Sequence, residues 1–194
     1  MIKKITKHNC QIAILDITKS FNDLVNLSDN LNISKFKTEK RKNEILSSRL
    51  LLRKLLPKTT ISYNIYGAPE INTEKFISIS HSQNLTAIII SDISVGIDIE
   101  KISSKPFKVY SKFIKKNRHI PLSKEKATLI WACKEAIYKW HQKGNINFIN
   151  DIKIRPFIVK HKDELTAEFK NQQITLHYQK INDYFLVYVC KRKY

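Results

Sequence analysis

The run FISISHSQNLTAIIISDISVGIDIE, residues 76–100, constrains this chain more than any other stretch. Three segments rich in β-branched residues, 76–80, 85–91 and 94–100, follow one another with only short polar turns between them. Such runs read as three short strands. They carry chemistry that a plain core would not need. Ser80, His81 and Ser82 stand at the end of the first, and Asp98 and Glu100 lie two residues apart in the third.

Around this centre the pattern repeats in kind. CQIAILDI (10–17) alternates as a first strand. TEKRKNEILSSRLLLRKLL (38–56) has apolar residues at helical spacing and is stopped by Pro57. ISYNIYGAPEI (61–71) reads as a strand broken by a Gly67–Pro69 turn. Residues 101–121 read as a basic loop with short helical pieces. LSKEKATLIWACKEAIYKWHQK (122–143) is a second long helix, capped by Ser123 and ending near Gly144. The alternating segments that follow suggest an antiparallel meander. The expected fold is α+β with two pseudo-symmetric lobes, 1–94 and 95–194, each a long helix on a small antiparallel sheet.

The net charge is +18, from 35 Lys and Arg against 17 Asp and Glu. Such a field suits anionic partners, although a Lys-, Asn- and Ile-rich background composition produces the same number. No helix-turn-helix, zinc-finger or aromatic RNA-binding motif accompanies the charge, so no nucleic-acid partner is expected. No apolar run is long enough to span a bilayer, so no membrane partner is expected. Cys10, Cys133 and Cys190 are isolated and odd in number, which argues against a disulfide framework and suits a reducing cytoplasm.

Side chains two apart on a strand share a face, so Asp98 and Glu100 can present two hard oxygen ligands together. Gly96 allows a tight turn or a close approach just before them. An exposed acidic pair is the plainer alternative. Glu135 and Lys139 are four apart and share one helix face. That is an ordinary surface pair, unless the face is buried among Trp131, Ala132, Ala136 and Ile137, where charge is costly without a purpose. Ser80 and His81 are either structural or donors to an oxyanion.

Taken in order, YGAP, ISISHS, VGIDIE and WACKEAIYK resemble the signature of the 4′-phosphopantetheinyl transferase superfamily, with Asp98 and Glu135 separated by 37 residues. The length is similar to the pseudo-dimeric, surfactin-synthetase-activating type, in which one chain carries both lobes. The resemblance implies transfer of 4′-phosphopantetheine from coenzyme A to a serine of an apo acyl or peptidyl carrier protein, with release of adenosine 3′,5′-bisphosphate. It implies Mg²⁺ held by Asp98, Glu100 and Glu135, with Glu135 also a candidate base and Lys139 a phosphate contact. It places Ser80 and His81 at the nucleotide end. Arg41, Lys42, Arg49 and Arg53 lie on the helix that helps hold the 3′-phosphate in relatives, Arg41 and Arg49 being the chosen contacts. A monomer and an acidic carrier protein follow by the same analogy, with residues 107–120, FKVYSKFIKKNRHI, as a candidate docking surface.

Three features depart from the pattern. Ala68 stands where the family often has lysine, Ile146 stands where a second glycine is usual, and the segment 101–130 is short. The alternative is an idle relative that binds coenzyme A or a carrier protein without transferring anything.

Overall fold

The computed structural model describes residues 2–7, 9–19, 24, 34, 36–115 and 118–193. Among these, strands β1 (Ile2–Lys7), β2 (Cys10–Asp16), β5 (Phe76–Ser82) and β6 (Leu85–Ser91) form an antiparallel sheet in the order β1-β2-β6-β5. A small pair, β3 (Ile61–Tyr63) and β4 (Pro69–Ile71), flanks the Gly67 turn. Strands β7 (Val95–Lys101), β8 (Ile152–Ile154), β9 (Lys162–Phe169), β10 (Gln172–Ile181) and β11 (Tyr184–Cys190) form a second antiparallel sheet, ordered β7-β11-β10-β9-β8. The fold is α+β, as expected.

Each sheet carries one long helix. Helix α1 (Glu39–Leu55) starts where Thr38 Oγ1 accepts the Arg41 amide at 3.2 Å. It buries Leu46, Leu50, Leu51 and Leu52 against Ala13, Leu15, Ile77, Ile88 and Ile90 of the first sheet. The short helix α2 (Ser104–Lys108) leads toward α3 (Lys124–His141), which is capped by Ser123 Oγ accepting the Lys126 amide at 3.1 Å. Its inner face, including Leu129, Cys133, Ala136, Ile137 and Trp140, packs on the second sheet. The α3 cap at the far end is Gln142 in the left-handed conformation (φ 64°), two residues before the expected Gly144. The remaining faces of the two sheets meet, with Ile12, Ile14, Ala87 and Ile89 against Val95, Ile97, Ile99 and Leu186. The order of layers is helix, sheet, sheet, helix. No helix among the described residues is long and apolar enough to cross a membrane.

The cysteine expectation is corrected. Cys10 and Cys190, 180 residues apart, form a disulfide, while Cys133 is free and buried. Register explains the meeting. Cys10 pairs with Ser91 on β6 and Cys190 pairs with Val95 on β7, and the β6–β7 turn brings these two ends together. Sequence spacing carries no trace of that proximity.

Candidate active site

The two-residue period of β7 sorts its side chains cleanly. Val95, Ile97 and Ile99 enter the core between the sheets. Gly96, Asp98 and Glu100 take the opposite face, toward α3. Gly96 serves close approach to that helix. A Cβ there would stand 2.0 Å from the Ala136 carbonyl oxygen and 2.5 Å from the Trp140 amide nitrogen. The glycine therefore lets α3 lie directly on the strand, and it brings Glu135 and Lys139 over Asp98.

The result is a cavity of about 400 Å³ lined by Glu44, Ser80, His81, Asp98, Glu100, Trp131, Glu135 and Lys139, among others. Asp98 is buried. Its Oδ1 accepts from Ser80 Oγ at 2.7 Å and from Lys139 Nζ at 2.7 Å, while its Oδ2 is buried without a hydrogen bond. Lys139 thus reaches across to the strand for its partner and does not fold back on Glu135. The less screened charge of a buried carboxylate is the stronger partner. Burial, and then the charge of Asp98, pushes the Glu135 carboxyl up to about 7. Burial, Asp98 and Glu135 push Glu100 up to about 7 as well, against the pull of Lys139. Among the described residues no three Asp, Glu, His or Cys side chains converge as a ready cation cage. The donors are nevertheless all hard oxygens. Asp98 Oδ2 is unengaged, and Asp98, Glu100 and Glu135 repel one another beyond what Lys139 offsets. That donor set fits a hard divalent cation.

A second cavity of about 260 Å³ adjoins the first and shares Ile79, His81 and Lys139 with it. Its walls are Tyr63, Tyr66, Tyr138, the Gly67–Pro69 turn and Arg41. Of the two chosen arginines, Arg41 borders this cavity, its Nη1 donating to Glu44 at 3.0 Å. Arg49 lines neither cavity. His81 stands where the two spaces meet. Its Nε2 lies 3.0 Å from the Glu44 carbonyl oxygen and 2.9 Å from Ser48 Oγ. A carbonyl can only accept, so Nε2 carries the proton. Burial lowers the ring to about 4, which leaves it neutral near pH 7. A phosphate at Nδ1 therefore requires a second proton on the ring.

Several participants escape a reading of the sequence. Glu44 lines the acidic cavity and belongs to no pattern singled out beforehand, whereas Trp131, which also lines it, opens the WACKEAIYK motif. Lys134, next to Glu135, is buried and donates to the carbonyls of Phe148 and Ile152, fixing the loop after α3. Burial brings its ammonium down to about 8. In the 107–120 segment, whose residues 116 and 117 lie outside the described ones, the aromatics divide. Phe107 and Tyr110 are exposed with ring centroids 6.4 Å apart, whereas Phe113 is core and packs edge-on against Trp131 at 5.2 Å.

Comparison with known proteins matches residues 94–189 to the family model of the 4′-phosphopantetheinyl transferase superfamily. That span holds Asp98, Glu100, Glu135 and Lys139, and leaves out Arg41, Ser80 and His81. Among curated proteins, the 4′-phosphopantetheinyl transferase gsp of Aneurinibacillus migulanus is 32% identical over 114 residues, covering 51% of this chain and 48% of that protein. The chain spans about half the length of this relative.

Proposed function

Through residues 94–189 the chain belongs to the 4′-phosphopantetheinyl transferase superfamily, and on that premise we propose that it transfers 4′-phosphopantetheine from coenzyme A to a serine of an apo acyl or peptidyl carrier protein, releasing adenosine 3′,5′-bisphosphate. One observation carries the reading. A cavity bearing all three acids opens onto an aromatic cavity, and Lys139 and His81 stand at the junction.

The roles follow from that geometry. Tyr63, Tyr66 and Tyr138 offer ring faces for a base, and Arg41 offers its guanidinium to a nucleotide phosphate. Asp98, Glu100 and Glu135 would hold Mg²⁺, which when bound offsets the charge of the pyrophosphate and steadies the leaving phosphate. Lys139 adds a cation at the junction, where charge develops during transfer. Glu135, at the cavity's edge beside Lys139, is the candidate base for the proton of an incoming serine hydroxyl. The serine's oxygen forms the new bond to the β-phosphate as the bond to the departing bisphosphate breaks. An acidic carrier protein suits the +18 chain, and exposed Phe107 and Tyr110 give the basic segment apolar contact points. We assign the work to a monomer, with coenzyme A as the co-substrate.

The test is intact-mass analysis of an apo carrier protein after incubation with this protein, coenzyme A and Mg²⁺, with an EDTA control. A phosphopantetheine-sized gain that EDTA removes supports the proposal. No gain on fatty-acid, polyketide or peptide carriers, from a protein that still binds coenzyme A, favours the idle-relative reading. Ala68 in the wall of the aromatic cavity is the ground for that second reading.

A further inference from the structure

Strands β5 and β7 are the facing edges of the two sheets, yet no ladder joins them. Their junction is made by side chains. Ser78, Ser80 and Ser82, at alternate positions of β5, accept the amides of Ile97, Ile99 and Lys101 of β7 at 3.1, 3.2 and 3.1 Å. The period of two puts all three hydroxyls on one face of β5, and the same period on β7 puts the three amides opposite them. The middle serine differs from its neighbours in one contact. Ser80 also donates to Asp98 Oδ1 at 2.7 Å, within a site where the serine is itself buried.

A hydroxyl has one proton and one rotor. Once its oxygen accepts the Ile99 amide, the proton of Ser80 must point elsewhere, and Asp98 Oδ1 is what it meets. With Lys139 on the same oxygen, Oδ1 is fully engaged and Oδ2 is the carboxylate's unengaged atom. We propose that Ser80 is a positioning residue: the junction between the sheets sets its hydroxyl, and the hydroxyl turns Asp98 so that Oδ2 is presented to a divalent cation. This rests on the metal-holding role assigned to Asp98 above. It gives Ser80 a different task from a nucleotide contact, because its proton and one acceptor position are spent inside the protein.

The internal control is Ser82, which makes the same kind of bridge and borders neither cavity. The experiment titrates Mn²⁺ into the protein with coenzyme A, follows the free-ion EPR signal against a coenzyme-only blank, and measures coenzyme A affinity in parallel. Wild type and Ser82→Ala should bind Mn²⁺ within about twofold of each other, even if both serine variants melt earlier. Ser80→Ala should weaken Mn²⁺ about tenfold, the scale of one hydrogen bond to a charged group, and Ser80→Thr should restore part of it. If the alanine variant does not fold, Ser80→Cys, with a weaker donor of similar size, should show an intermediate loss. Mn²⁺ binding by Ser80→Ala equal to that of Ser82→Ala overturns the positioning role alone. So does a loss confined to coenzyme A affinity, which would make Ser80 a nucleotide contact. Wild type with no saturable Mn²⁺ binding overturns the metal reading together with this role.

Discussion

Gly96→Ala replaces a hydrogen by a methyl group where α3 rests on β7. The new Cβ would lie 2.0 Å from the Ala136 carbonyl oxygen, 2.5 Å from the Trp140 nitrogen and 2.8 Å from the Trp140 Cβ. Two of these obstacles are backbone, so no rotamer change relieves them, and the helix must retreat by about 1 Å to reach even a tight contact. Overpacking of this kind costs roughly 1–3 kcal/mol. With a helix backbone as the obstacle we expect about 3 kcal/mol. For a chain of this size that lowers Tm by about 6–12 °C. The same retreat carries Glu135, adjacent to Ala136, away from Asp98 and Glu100. A misplacement of about 1 Å at a reacting group costs on the order of a hundredfold in rate. Differential scanning calorimetry and the carrier-modification assay measure the two effects on one sample. A variant melting within 2 °C of wild type and turning over within about threefold would refute the reasoning, since the helix would then have had room to spare.

Four further outcomes are expected. Glu135→Gln should cut transfer by at least about a hundredfold with the melting temperature not lowered, read by intact mass of the carrier protein and by calorimetry. The raised carboxyls predict a pH effect in metal-free protein. A group bound more tightly to its proton in the folded state loses stability as pH rises, here from about 4.5 through about 7. His81 and His119, both lowered to about 4, act in the opposite sense, gaining stability as pH rises toward 6.5. The difference between wild type and Glu100→Gln isolates the acid's share: the variant should melt higher at pH 7.5 and equally at pH 4.5. Lys134→Met should cost about 2–4 kcal/mol in urea unfolding, because the Phe148 and Ile152 carbonyls lose their donor in a buried setting. Ala68→Lys, which adds a cation to the aromatic cavity, should lower KM for coenzyme A several-fold with kcat little changed, the sign of added uniform binding.

The elements and the acids were legible in the sequence because both rest on local periods. Helix α1 is expected over 38–56 and forms over Glu39–Leu55, and all three central strands form where their β-branched runs lie. Asp98 and Glu100 share a face because two residues separate them on a strand. What was not legible depends on which strand lies beside which. The Lys139–Asp98 pair spans 41 residues, the Cys10–Cys190 bond spans 180, and the serine bridges join the edges of different sheets. Periodicity says nothing about such neighbours. The end of α3 at Gln142 misled for another reason: a glycine signals a helix stop only by its conformational freedom, and here glutamine adopts the left-handed turn first.

The serine bridges have a consequence for solubility. An edge strand offers unpaired amides that recruit other chains into a growing sheet. On β7 the outward amides of Ile97, Ile99 and Lys101 are already spent on hydroxyls from β5, and the apolar faces behind them are shut against the first sheet. Each half of the chain therefore acts as the other's guard against aggregation. A fragment cut between residues 91 and 95 would expose the sticky edge and the Ile97–Ile99 face at once. Attempts to produce the matched segment 94–189 alone should meet precipitation before they meet a test of its chemistry.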